Sequence, residues 1–206
     1  MDTWDAIQTE RAALVDALAE LPPETWDQQS LCTGWTNRQV LGHLIATATM
    51  TPPAFLGKMI ASGFRFPAMA ARDIERTLAG RSDADLVEAY RSRVTARTAP
   101  PGPPTSWLGE TIVHGEDIFR SLGSYREHPA AHLRAVADFY SGSNLLIGSK
   151  TRIAGVRLEA TDSNWSHGDG PTATGPAVAL VMAMTGRKPA LNDLTGDGVA
   201  VLRARP

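Results

Sequence analysis

Apolar residues recur along most of the chain at helical intervals. Trp4, Ile7, Leu14, Leu18 and Leu21 fall three, four and seven residues apart, as expected of a helix with one face turned to a core. Pro22-Pro23 ends that run. Thr36 and Gln39 stand just ahead of Val40, Leu41 and Leu44, a capping-box start for a second helix, and Pro52-Pro53 interrupts the chain beyond it. A third helix is expected from Ser82, with Asp83 and Asp85 favourable in its first turn and Leu86, Tyr90 and Val94 as its stripe. The stretch from Thr98 to Ser106, TAPPGPPTS, reads as a loop. A fourth helix is predicted from about Trp107 to Leu122, stopped at Gly123, and a further one from about Pro129 to Ile147.

Beyond Lys150 the period changes. Val156, Leu158 and Ala160 alternate with Arg157, Glu159 and Thr161, a strand pattern. SNWSHGDGPTATG is rich in turn residues, Ala177 to Thr185 is apolar enough for a buried helix, and Val199 to Leu202 after Gly196-Asp197-Gly198 reads as a last strand. The predicted architecture is mainly α: an up-and-down four-helix bundle over residues 1–150, then a small α+β domain over 151–206.

Composition narrows the classes. Of 206 residues, 43% are hydrophobic, too many for a disordered chain. Lys plus Arg number 20 against 22 Asp plus Glu, for a net charge of −2, so no basic footprint points to nucleic acid. No apolar run reaches the roughly 18 residues of a membrane span, and the acidic start lacks the basic and apolar regions of a signal peptide; no membrane partner is expected. The single cysteine, Cys32, forms no internal disulfide, which fits a reducing, cytoplasmic setting.

Few residues can carry chemistry. Glu110 and His114 stand four apart on a predicted helix, where side chains share a face and could converge on one divalent cation; a solvated helix face is the plain alternative. His43 lies in Val40-Leu41-Gly42-His43-Leu44, beside a glycine that lets another helix approach, and a satisfied core histidine is the commoner role for such a residue. Together the three make a His₂Glu set, which leaves one position open on zinc and also suits iron, nickel or manganese. Asp117 shares the face of His114 and could accept the N–H of a liganding imidazole or pair with Arg120. Cys32 is read as packing rather than a nucleophile, because only Arg38 is near it in sequence to lower its pKa. His128 and His132 flank Pro129 at a helix start and His167 lies in a turn, so all three are expected at the surface. Trp26, Trp35 and Trp165 are core residues by default, or walls of a pocket.

Two segments then resemble a known family. WDQQSLCTGWTNRQVLGHL, from Trp26 to Leu44, and ETIVHGEDIFR, from Glu110 to Arg120, are similar to the two signatures of the mycothiol-dependent maleylpyruvate isomerase family, part of the DinB-like superfamily of metal-dependent bundles. LEATDSNW at 158–165, GPAVALVMAMTGR at 175–187 and LTGDG at 194–198 resemble its C-terminal domain. The resemblance implies a DinB-like bundle with His43, Glu110 and His114 as metal ligands, zinc first among the metals, and mycothiol or a similar low-molecular-weight thiol as cofactor. It also implies an arginine acting from the C-terminal domain, for which Arg187 is the candidate and Arg203 and Arg205 are rivals; a helix cap is the structural reading of Arg187. The implied activity is isomerisation of, or thiol transfer to, a small electrophilic substrate. The alternatives are a metal-dependent hydrolase on the same ligands, for which Glu116 or Asp117 would have to act as base, and a non-catalytic metal-binding bundle.

Overall fold

The computed structural model describes residues 2–145 and 147–205. It is mainly helical, with one small sheet, and divides into two compact units, Met1–Arg126 and Glu127–Pro206.

The first unit is built on four helices: α1 (Thr3–Ala19), α2 (Asn37–Thr49), α5 (Asp83–Arg91) and α6 (Pro104–Ser121). Each start is chemically specified. The Asp2 side chain accepts from the Trp4 amide of α1, while Thr36 and Ser82 form reciprocal capping boxes with Gln39 and Asp85 ahead of α2 and α5, satisfying amides that a helix start leaves unpaired. Leu14 and Leu18 of α1, Val40, Leu41 and Leu44 of α2, Leu86 and Tyr90 of α5 and Ile118 of α6 close one core. At Gly42 a Cβ would meet a Leu78 methyl at 3.1 Å; its absence lets α4 (Phe66–Leu78) lie against α2.

Two proline motifs start helices here instead of only breaking them. Pro52 opens α3 (Pro52–Ala61) behind a Thr51 cap, and Pro104 opens α6, so the last three residues of the expected Thr98–Ser106 loop are helical. Proline suits the first helical position, where its missing N–H costs nothing and its fixed φ is helical.

The first unit also buries charge. Glu116 is wholly enclosed and accepts from the Nε of Arg120, whose side chain is 7% exposed. Glu10 lies 3.8 Å from Arg126. Arg11 donates to the carbonyls of Arg93 and Ala96 at 3.1 and 2.9 Å. Burial pushes the Tyr90 hydroxyl up to about 12.

In the second unit α7 (Ala130–Gly142) packs on α9 (Ala177–Met184), a helix apolar nearly all round. The change of period near residue 150 set the sequence division there; packing instead groups α7 with the C-terminal helices and sheet. α7 ends at Gly142, before the expected Ile147, and Leu146 lies outside the described residues. A short helix α8 (Ser149–Ile153) leads to a three-stranded sheet in the order β2-β1-β3. β1 (Arg157–Ala160) runs antiparallel to β2 (Ser166–His167) and parallel to β3 (Thr172–Gly175), so the turn-rich tract holds two strands. Val199 to Leu202 is not a strand: it lies in α10 (Gly198–Arg203). Thr195 still bridges Thr174, but Gly198 sits so close to the β3 backbone that a Cβ would meet the Thr172 carbonyl carbon at 2.7 Å. The chain turns into a helix there, burying Gly198 and Leu202 at helical spacing.

Candidate metal centre

His43 lies midway along α2 and Glu110 and His114 one turn apart on α6, two helices that pack together. The His43 Nε2 is 3.7 Å from the Glu110 Oε1, and the two imidazole rings stand 5.0 Å apart, edge to face. Ligand bonds of about 2.1 Å at tetrahedral angles separate donor atoms by roughly 3.4 Å, close to the His43–Glu110 spacing.

The surroundings hold these groups in place. His114 Nδ1 is 2.9 Å from an oxygen of the fully buried Asp117. A carboxylate there takes the Nδ1–H and leaves the Nε2 lone pair available, the usual arrangement behind a liganding histidine. Thr47, one turn beyond His43 on α2, and Arg11 lie near enough to the Glu110 carboxyl to favour its charged form. Trp35 covers both histidines, its ring 4.9 Å from that of His43 and 6.0 Å from that of His114.

The loop before α2 positions Trp35. The Trp35 carbonyl accepts from the Ser30 amide, the Ser30 hydroxyl and the Gln29 side chain, and the Leu31 amide donates to the Asp117 carbonyl at 3.0 Å. The loop is therefore tied to α6 beside His114. Gly34, with φ at +82°, makes the turn into Trp35.

Electrostatics decide whether these residues suit a divalent cation. Burial, reinforced by the charge of His114, lowers the His43 imidazole to about 3, so it stays neutral and its lone pair open at neutral pH. Burial also raises the Glu110 carboxyl, against opposing contributions from His114, Thr47 and Arg11. A largely enclosed pocket that disfavours a proton on its imidazole and a bare carboxylate is relieved by a compact positive ion. The neutral imidazole of His43 and the carboxyl of Glu110 are spaced to share one divalent cation, and the ring of His114 stands beside them.

Cys32 is half-buried and packs partly against the hydrophobic core. Its sulfur, a ring nitrogen of His114 and an oxygen of Asp117 nevertheless lie within 4.8 Å of one another, a neighbourhood that spacing along the chain does not reveal. Trp26 is core, and Trp165 donates to Asp138 at 2.8 Å in the second unit. His132, expected at the surface, is 5% exposed because it faces inward on α7; His167 is exposed as expected. Arg187 is half-buried ahead of a 3-10 turn at Lys188–Asp193, where it donates to the Thr185 carbonyl at 3.2 Å. Arg152 and Arg205 line the same small cavity, while Arg203 is exposed and reaches Asn192.

Thr47, Arg11 and the contact of Trp35 with both histidines are the site features that sequence reasoning missed. Only Thr47 left a signal, its spacing of four from His43.

The chain has relatives in both sequence and fold. Two uncharacterized proteins from two strains of Mycobacterium tuberculosis are each 27% identical to the chain, over 90% of its length and 85% of theirs. The crystal structure of the mycothiol-dependent maleylpyruvate isomerase superposes with a TM-score of 0.64 at 15% identity, covering 95% of this chain and 92% of that one. A histidine-to-alanine mutant of that enzyme gives the same TM-score at 14% identity. These structures share the fold. The family model described as the mycothiol maleylpyruvate isomerase N-terminal domain matches residues 7–119, which take in the loop before α2, His43, Glu110 and His114, and the chain belongs to that family.

Proposed function

We propose that the protein is a metal-dependent enzyme that uses mycothiol or a similar low-molecular-weight thiol to isomerise, or to attach sulfur to, a small electrophilic substrate. The observation that carries this reading is the grouping of His43, Glu110 and His114 in a largely enclosed pocket beside Trp35. When bound, a divalent cation with an open position supplies an acidified thiol, which then needs no base from the protein.

The protein's own groups support that chemistry in distinct ways. His43 remains a neutral donor because burial denies it a proton. Asp117 holds the His114 ring in one tautomer and orientation. Trp35 excludes water from one side of the histidines. Arg187 is the proposed cation for a substrate carboxylate, which a guanidinium binds bidentately.

Thiol chemistry is favoured over hydrolysis by the state of the acidic residues. A hydrolase on this set would use a nearby carboxylate as base, yet Glu116 is enclosed against Arg120 and Asp117 is engaged by His114.

The test is turnover of electrophilic substrates, including maleylpyruvate, with and without added thiol, before and after chelation. Thiol-dependent and metal-dependent turnover is expected; thiol-independent hydrolysis would reverse the reading. Cys32→Ser is expected to keep at least about half of the activity, since its sulfur is not the nucleophile. Asp117→Asn preserves shape but removes the acceptor's charge, and is expected to weaken metal affinity by about 10–100-fold, read by competition with a chromogenic chelator. Arg187→Ala is expected to raise KM for a carboxylate substrate by about tenfold or more, with partial recovery in Arg187→Lys and no change in Arg203→Ala.

A further inference from the structure

Helix α3 is an unusual element for a folded chain. Its sequence, PPAFLGKMIA, is mostly apolar, yet none of its residues is buried. Leu56 and Ile60, one turn apart, are 56% and 58% exposed, and beyond the helix Phe64 and Phe66 are 69% and 40% exposed. These four are among six large hydrophobic side chains marked by such exposure among the described residues. Isolated exposed hydrophobics are ordinary, but a contiguous group is not.

The backbone adds a second anomaly at the same place. Gly63 and Phe64 have φ of +59° and +58°, and Phe64 is the only non-glycine residue with positive φ among those described. A bulky residue is disfavoured in that conformation. Here it presents an aromatic ring to solvent instead of hiding it.

Charge identifies the occupant. From Gln28 to Arg72 the chain contains no Asp or Glu, and Lys58, Arg65 and Arg72 fall within the α3 to α4 stretch. Arg65 sits between the two exposed phenylalanines, and Arg72 reaches back to the Ala61 carbonyl at 3.2 Å. Asp73, the nearest carboxylate on α4, is buried and taken by Lys58 at 2.9 Å. Exposed aliphatic and aromatic side chains interleaved with Arg65 and Arg72 match the interface of an anionic bilayer, where rings and aliphatic tips enter the headgroup region and arginines meet lipid phosphates. We infer that the α3–α4 hairpin is a peripheral attachment site for an anionic lipid surface. This is lateral docking rather than spanning; no helix among the described residues is long and apolar enough to cross a membrane.

The experiment is co-sedimentation of the full chain with vesicles of phosphatidylglycerol and phosphatidylcholine, against vesicles of phosphatidylcholine alone, at low and high salt. Binding to the anionic vesicles alone, reduced by salt, is expected. Arg65→Glu is expected to weaken it by about tenfold or more. Phe64→Gly, which relaxes the backbone as it removes the ring, is expected to weaken binding without lowering thermal stability or changing metal content. The inference is overturned if the chain ignores anionic vesicles or if both variants bind like the parent. It is equally overturned if sedimentation reveals a dimer that Leu56→Ser dissociates, which would make a second copy the occupant.

Discussion

Replacing His114 with alanine is expected to abolish stoichiometric metal binding and to lower thiol-dependent turnover by at least about a hundredfold. Loss of a group that merely supports a ligand costs about 10–100-fold, and His114 is proposed as a ligand itself. It is also the residue through which several parts of the site meet: Asp117 fixes its Nδ1, Trp35 covers its ring and His43 stands 5.0 Å away. The fold should survive, because the side chain lies at the pocket and not in the core formed by Leu14, Leu41, Leu86 and Ile118. Metal analysis after dialysis, together with circular dichroism, separates loss of the site from loss of the protein. An alanine variant that keeps one equivalent of metal would transfer the site to other residues.

The largest expected effect on stability lies one helical step away. Glu116 is wholly buried against Arg120 and also draws on the nearby Arg126. Glu116→Ala leaves guanidinium charge enclosed without its partner, a change that costs about 3–5 kcal/mol. For a chain of this size the melting temperature should fall by about 10 °C. Replacing the pair together, Glu116→Met with Arg120→Met, should recover most of the loss, since a buried ion pair often exchanges for apolar packing at little net cost. Thermal denaturation of the two variants side by side gives the answer. A Glu116→Ala protein that melts within about 2 °C of the parent would mean that the pair is solvated and contributes little.

The parts of the molecule legible in the sequence are those specified locally. Capping boxes at Thr36 and Ser82 mark helix starts without reference to the rest of the chain. Glu110 and His114 could be paired because a helix puts positions four apart on one face. His43 joined them through resemblance and an apolar setting, and its packing beside Glu110 is tertiary. The features that escaped depend on contacts distant in sequence. Trp35 reads as a core tryptophan until the loop tied to Asp117 turns it over two histidines. Thr47 and Arg11 acquire meaning only when α1, α2 and α6 enclose Glu110. Val199 to Leu202 is too short for period alone to separate strand from helix, and the close approach of Gly198 to β3 decides it. Prolines at 52 and 104 look like interruptions, but a proline in the first turn is compatible with the helix it opens.

We propose that three side chains from α2 and α6 hold a metal whose open position accepts an external thiol, with no sulfur from the protein. The most direct measurement is the absorption spectrum of the cobalt-loaded Cys32→Ser variant titrated with a small thiol. A sulfur-to-cobalt charge-transfer band that grows with added thiol, saturates at one equivalent and is absent from the His114→Ala protein is the predicted result. A band present in the parent chain before any thiol is added, and lost in Cys32→Ser, would contradict the account and make Cys32 the ligand.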